Sequence, residues 1–131
     1  MNPIELRARR AALGLSQAEL AALLGCPRPV LSTWETGTRS PRDPLSIQLA
    51  LAELEDVLDG LISDLAEQIE HASGVQDSAM VTKRTYESDK DWWAVDAEAR
   101  KARLPAAMHR VALARAAAEA REDGISVAIV S

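Results

Sequence analysis

The residue types that usually carry catalysis and metal binding are few and scattered in this chain. Its two histidines, His71 and His109, have no Asp or Cys companion at catalytic spacing, so neither is expected to act as a proton-transfer base. Cys26 is the single cysteine, which excludes an intrachain disulfide and a cysteine-based metal cluster. We therefore expect no cofactor, no metal and no enzymatic activity.

A second set of polar groups stands where a short helix is predicted to begin. Ser16 can accept a hydrogen bond from the free amides of the first helical turn, and Glu19 has the spacing that completes a capping box. Leucines 20, 23 and 24 give this helix one apolar face. Gly25 is expected to end it, because the chain leaves a helix most easily through a residue that tolerates positive φ.

A second short helix is predicted from Arg28 to just before Gly37. Pro29 is tolerated there because amides of the first turn have no intrahelical partner to lose. The predicted apolar contacts of this helix are Val30, Leu31 and Trp34. The side chains that can reach outward with hydrogen-bonding groups are those of Arg28, Ser32 and Thr33.

These two helices and their turn resemble the lambda-repressor and Cro-type helix-turn-helix family, also called the XRE family. The residues that match the family's pattern at its spacings are Ser16-Gln17, Leu20-Ala21, Gly25, Leu31, Glu35 and Gly37. The resemblance extends over about residues 3 to 60. It implies a helical head that binds double-stranded DNA, with its second helix in the major groove.

The resemblance also implies which side chains recognise the base sequence. Arg28, Pro29 and Thr33 match positions that the family directs at base edges, and Ser32 lies nearby. An arginine there can donate two hydrogen bonds to O6 and N7 of guanine, so Arg28 is the first candidate. Pro29 replaces the polar residue usual at that position, so any contact from it would be apolar.

Other matched positions imply contacts to the DNA backbone and within the head. Gln17 and Ser16 stand at a helix N-terminus, where the free amides favour a phosphate. Arg10 and Glu35 match a family pair, which implies a structural ion pair. Further candidates for holding the DNA backbone follow the second helix: Thr38, Arg39, Ser40 and Arg42.

Charge is distributed unevenly along the chain, whose net charge is −5. Residues 1–44 hold six arginines and four acidic residues, whereas residues 45–131 hold nine basic and sixteen acidic residues. The basic end is the segment that resembles a DNA-binding domain, where cations would neutralise phosphates. The acidic remainder should discourage promiscuous binding to nucleic acid, so we expect selective binding.

A long helix is predicted to follow the motif. Asp43 and Pro44 suit an N-cap and a first helical residue, and apolar residues then recur at helical spacing to about His71. Gly60 is the one candidate for a break in this helix. Residues 71–79 are small and polar and lack periodicity, which predicts a linker.

Beyond the linker the pattern predicts a small α/β region. Residues 80–86 and the alternating residues near the C-terminal end predict two strands, with helices over 89–101 and 104–123 between them. The predicted fold class is mainly α, with a five-helix-type head, a long connecting helix and a strand-helix-helix-strand tail. We expect a DNA-binding domain over 1–72 and a dimerisation domain over 79–131.

The tail is also predicted to join two chains. Two strands alone are marginally stable in water, and this region has little bulky apolar surface to cover them. Pairing the same element from two chains around a twofold axis would solve both problems, so we expect a homodimer. The candidate interface residues are the following apolar side chains: Leu61, Leu65, Trp92, Trp93, Ile125, Val127 and Ile129.

Together these inferences favour a homodimeric repressor that binds an inverted-repeat operator, often its own, through residues 28–36. The architecture resembles, more loosely, the anti-CRISPR-associated autorepressors of phages and mobile elements. An antitoxin that autoregulates its operon and binds a toxin remains an alternative. The sequence shows no charged leader and no membrane-spanning apolar run, so we expect a cytoplasmic protein with no membrane partner.

Overall fold

The computed structural model describes all residues, 1–131, as seven helices and two strands. The mainly α fold class with a small C-terminal sheet is confirmed. The chain forms two compact units, the head unit Met1–Asp56 and the tail unit Val57–Ser131. In chain order the elements are α1 (Pro3–Ala12), α2 (Gln17–Leu24), α3 (Arg28–Thr36), α4 (Pro44–Gln76), β1 (Met80–Arg84), α5 (Asp89–Val95), α6 (Ala97–Ala102), α7 (Ala106–Glu122) and β2 (Ser126–Val130).

The head unit is built as the capping residues predict. Ser16 Oγ accepts a hydrogen bond from the amide of Glu19, whose side chain accepts one from the Ser16 amide, so the capping box at the start of α2 is confirmed. Gly25 and Gly37 end α2 and α3 in the left-handed conformation, with φ of +73° and +79°. Helix α3 packs against both α1 and α2. The core of the head unit contains Leu6, Leu13, Leu15, Leu20, Leu31 and Leu51.

Helix α4 is longer than the sequence indicates. It begins where predicted, with Asp43 Oδ1 accepting from the Ser46 amide at 3.2 Å, and it passes through Gly60 without a break. The predicted linker over 71–79 is wrong for residues 71–76, which are helical. The helix ends at Asp77, which has a positive φ of 47°. None of the seven helices combines the length and apolar character needed to cross a membrane.

The end of α4 is fixed by hydrogen bonds that composition alone does not reveal. The Ser78 amide donates to Ser73 O at 3.1 Å and the Asp77 amide donates to Gly74 O at 3.3 Å, which is the Schellman pattern of helix termination. The Ser73 hydroxyl also donates to Ser78 O. These small polar residues therefore close a helix, and only residues 77–79 connect it to β1.

The tail unit contains one helix more than the sequence predicts. The segment predicted as a single helix over 89–101 is divided into α5 and α6 at Asp96, which has extended backbone angles. Asp96 Oδ1 accepts from the Ala99 amide at 3.0 Å and so caps α6. Strands β1 and β2 pair in parallel, from Met80 opposite Ser126 to Arg84 opposite Val130.

The tail unit also has a core of its own, larger than the apolar pattern of the sequence predicts. The alanine-rich helix α7 buries alanines 106, 107, 112, 116, 117 and 120 together with Met108 and Leu113. Trp92 is 2% exposed and Leu65 is 5% exposed within one chain. These two predicted interface residues therefore offer almost no surface to a second copy.

Candidate nucleic-acid interface

Helix α3 has a buried side and an outward side. Leu31 and Glu35 are buried against the rest of the head unit, whereas Arg28 and Pro29 are exposed. Ser32 and Thr33 are half-buried, and the Thr33 hydroxyl donates to Val30 O at 2.6 Å. The four predicted base-contacting residues therefore lie on one short helix, and Arg28, the one charged residue among them, is exposed.

Glu35 is a buried anion held by an arginine. Its side chain is 1% exposed, and Arg10 donates to it from Nε at 2.7 Å and from Nη2 at 2.9 Å. Arg10 Nη1 also donates to the carbonyl of Leu15 at 2.9 Å. Arg10 and Glu35, which are paired in the family that the sequence resembles, thus form a bidentate ion pair that joins α1 to the end of α3.

The pKa of Glu35 follows from this environment. Burial acts to raise the pKa, because an apolar surrounding disfavours the charged form. Hydrogen bonds from Arg10 and Gln17 and the positive charge of Arg10 act in the opposite direction and prevail. The pKa of Glu35 is therefore lowered from its ordinary value, and the carboxylate is charged at neutral pH.

Gln17 connects this ion pair to Arg28. Gln17 Nε2 donates to Glu35 Oε1 at 3.0 Å, and Arg28 Nη1 donates to Gln17 Oε1 at 3.2 Å. Because the carboxylate can only accept, it holds the amide nitrogen, and the amide oxygen is left facing the guanidinium. The side chain of Gln17 is thus occupied within the protein, and the amides of Gln17 and Ala18 at the start of α2 remain as groups that could bind a phosphate.

The loop after α3 carries the other predicted backbone contacts on its surface. Thr38, Arg39, Ser40 and Arg42 are all exposed. The Arg39 amide donates to Thr33 O at 3.2 Å, which ties the start of the loop to α3. Neither Arg39 nor Arg42 forms an ion pair within the chain, so both guanidinium groups are available to an external anion.

Val30, predicted to supply an apolar contact of α3, lies partly at the surface. The residue is 38% exposed, so part of its apolar surface faces outward. Val30 and the half-buried Trp34 line a cavity of about 380 Å³ beside the 38–42 loop. Helical spacing could have indicated the exposed position of Val30, because Val30 lies three residues before Thr33 and so neighbours Thr33 on the helix surface.

The remaining predicted interface residues all belong to the tail unit. Trp93 is half-buried, and its indole Nε1 donates to Leu104 O at 2.8 Å. Leu61, Ile125 and Val127 are also half-buried, and Ile129 is exposed. The structure therefore leaves partly accessible apolar surface on the tail unit at five of the seven predicted positions.

The α2-turn-α3 geometry defines a helix-turn-helix DNA-binding head. A helix-turn-helix family model matches residues 6–52, which is the stretch from α1 into α4. The match agrees with the resemblance of these residues to the helix-turn-helix domains of the lambda-repressor and Cro type, and it supports a DNA-binding transcription regulator. None of the curated proteins matches the chain.

Proposed function

We propose that this protein is a homodimeric repressor that binds an inverted-repeat operator, often in its own promoter region. The observation that carries the proposal is the outward side of α3, where the exposed Arg28 donates to Gln17, whose side chain is itself held by the buried Glu35. An arginine fixed in this way loses less conformational entropy when it binds guanine. The arrangement suits specific recognition of DNA better than general attraction to it.

The remaining outward residues of α3 would complete the sequence recognition. Pro29 has no side-chain hydrogen-bonding group, and the exposed Val30 adds a second apolar surface. Apolar groups in the major groove contact the methyl group of thymine. We therefore assign Arg28 to a guanine, Pro29 and Val30 to thymine methyl groups, and Ser32 and Thr33 to polar base edges.

Contacts to the DNA backbone would come from both ends of the motif. Ser16 and the first amides of α2, including that of Gln17, form one group, and the exposed loop residues Thr38, Arg39, Ser40 and Arg42 form the other. Such contacts fix the register of the protein on the duplex without specifying its sequence. The excess of acidic over basic residues beyond residue 44 supports a binding surface confined to this end.

Homodimerisation would supply the second recognition helix. Two heads related by a twofold axis match an inverted repeat whose half-sites lie about 34 Å apart. We assign DNA binding to residues 1–72 and dimerisation to residues 79–131 together with Leu61. The accessible apolar residues Trp93, Ile125, Val127 and Ile129 support this assignment, whereas Trp92 and Leu65 are removed from it by their burial.

The test is binding of the purified protein to fragments of DNA upstream of its own gene, by mobility shift over a salt series. We expect a discrete complex that holds two chains on an inverted repeat and weakens steeply with salt, because phosphate contacts release counterions. A transcription reporter driven by the same fragment should fall when the protein is present. Binding no tighter than to random DNA would overturn the proposal, and co-purification of a small basic protein would then favour the antitoxin alternative.

A further inference from the structure

The two strands of the tail unit form an incomplete sheet. They are the only strands in the chain, and because they pair with each other, each has one edge without a strand partner. Parallel strands are usually covered by further structure, and two strands alone are marginally stable. An unpaired edge is also a template for a strand from another chain.

The hydrogen bonds of the sheet identify the groups on the free edge of β2. The Ser126 amide donates to Ala79 O at 2.7 Å, and Val130 O accepts from the Thr85 amide at 2.8 Å, so Ser126 and Val130 face β1. Peptide groups of successive residues point to opposite sides of a strand. The N–H and C=O groups of Val127 and Ile129 therefore point to the free edge.

Charge distinguishes the two edges. Strand β1 carries Lys83 and Arg84, and charged residues of this kind discourage edge-to-edge pairing. Pairing β1 with its own copy would also bring like charges together. Strand β2 has the sequence Ser-Val-Ala-Ile-Val, without a charge or a proline, so its edge has no such protection.

We propose that the edge of β2 pairs antiparallel with β2 of a second copy, with the twofold axis at Ala128. This register places Val127 opposite Ile129 of the second copy, so that every free peptide group of these residues gains a hydrogen bond on both strands. The uncharged edge is complementary to itself, because valine meets isoleucine and alanine meets alanine. The two sheets become one four-stranded sheet, with the two β2 strands at its centre.

This inference rests on the homodimer of the proposed function and names its interface. Ala128 is exposed, and in an antiparallel pair with this register its Cα lies about 4.5 Å from the Cα of Ala128 in the second copy, because the pair is not hydrogen-bonded. Two cysteines at that separation can form a disulfide. A cysteine at this position is therefore a direct probe of the proposed axis.

The first experiment compares two cysteine variants in a Cys26→Ser background. Ala128→Cys and Thr82→Cys are matched, because Thr82 is the register partner of Ala128 on β1 and is also exposed. Mild oxidation of the purified protein without DNA is followed on non-reducing gels. We expect a disulfide-linked dimer from Ala128→Cys and only background cross-linking from Thr82→Cys.

Sedimentation of the unmodified protein separates the possible failures. A dimer that cross-links no better through position 128 than through position 82 overturns the β2 interface and leaves the homodimer intact. A monomer at all concentrations overturns both, while the mobility shift still tests DNA recognition by the head unit. A dimer that cross-links through position 128 but fails to bind the operator supports the interface and contradicts the proposed function.

A second pair of variants tests the edge without a new thiol. Ile129→Pro removes an amide that faces the free edge of β2 and makes no bond to β1, and Thr82→Pro removes the equivalent amide on the free edge of β1. The dimer dissociation constant should rise about ten- to a hundred-fold for Ile129→Pro and remain unchanged for Thr82→Pro. Equal dimerisation of Ile129→Pro and the unmodified protein, at equal helix content, would overturn the proposal.

Discussion

At the scale of single residues, recognition by this protein depends on how Arg28 is supported. The chain of contacts from Arg10 through Glu35 and Gln17 begins in the core of the head unit and ends at an exposed guanidinium. Arg42 has no comparable support and lies in a loop. The two arginines should therefore differ in what they contribute to binding, although both are exposed cations.

Arg28→Ala should cost about 1–3 kcal/mol of binding free energy at the operator and relax the preference at one base pair. Arg42→Ala should weaken binding to all sequences alike and reduce the salt dependence of the binding constant, because it removes a phosphate contact. Mobility shifts with a set of single-base operator variants measure both effects. If both variants lose affinity uniformly and keep the same base preference, the assignment of Arg28 is wrong.

His109 shows that a residue without catalytic companions can still matter to the fold. It is 7% exposed and lies between Tyr86 and Trp92, with ring centroids 5.1 and 5.2 Å away. Its Nδ1 is 2.8 Å from the Thr85 hydroxyl. Burial lowers the pKa of His109 from its usual value of 6.5, opposed by the negative charge of Asp96 and reinforced by Lys83.

The stability of the protein should consequently fall in mild acid. In the unfolded chain His109 binds a proton near pH 6.5, whereas in the folded chain it binds one only at lower pH. The contribution of neutral His109 to stability is therefore complete above pH 6.5 and is lost as the pH falls below 6.5. Urea unfolding between about pH 8 and pH 5 measures this loss. The loss should be smaller in His109→Gln and unchanged in His71→Gln, because His71 is exposed. An identical pH profile for His109→Gln and the unmodified protein would contradict the assignment.

At the scale of elements, α4 is continuous through a residue that weakens helices. Gly60 lies in the helix, is exposed, and has no atom within 4 Å of the position that a Cβ would occupy. Glycine in the interior of a helix costs conformational entropy that alanine does not. The helix persists because leucines and isoleucines on both sides of Gly60 are buried, among them Leu58, Ile62 and Leu65.

Gly60→Ala should therefore raise the free energy of unfolding by roughly 0.5–1 kcal/mol. Gly25→Ala is the matched control, because an added Cβ also meets no atom within 4 Å but φ there is +73°. That variant should lower stability, since alanine is strained in the left-handed region. Thermal denaturation followed by circular dichroism measures both changes, and equal effects from the two substitutions would contradict the argument from backbone conformation.

At the scale of the whole molecule, the distribution of charge and the proposed dimer act together. The six arginines of residues 1–44 offer few phosphate contacts per head, and the rest of the chain is acidic. Tight and selective binding would then require two heads on one duplex. Each head alone would bind modestly, and the dimer makes the second binding event intramolecular. The spacing of the half-sites should be as important as their sequence.

Insertion of five base pairs between the half-sites tests this dependence on spacing. The insertion rotates one half-site by about half a turn of DNA, so a dimer that reaches both on one face of the duplex can no longer engage them together. We expect the affinity to fall to that of a fragment with one half-site. Mobility shifts on the fragment with the insertion and on the fragment with one half-site measure the two affinities. Unchanged affinity after the insertion would show that each head binds independently.

The sequence by itself determined the helix-turn-helix and the residues that begin and end its helices. The capping box of Ser16 and Glu19, the left-handed glycines at 25 and 37, and the N-cap Asp43 are all found where the sequence predicts them. Each of these signals depends on residues three or four positions apart, so local chemistry is enough to specify it. The contact of Gln17 with both Glu35 and Arg28 is not local, and no pattern in the sequence indicates it.

Only the tertiary structure decided the organisation of the second half of the chain. The end of α4 at Asp77 and the division of a predicted helix at Asp96 are fixed by local hydrogen bonds that the pattern of residue types does not indicate. The parallel pairing of β1 with β2 depends on contacts between distant residues. The burial of Trp92 likewise depends on α7, whose alanines allow close packing but give a weak hydrophobic pattern. Local propensity is weak where small residues dominate, so packing between elements determines the outcome there.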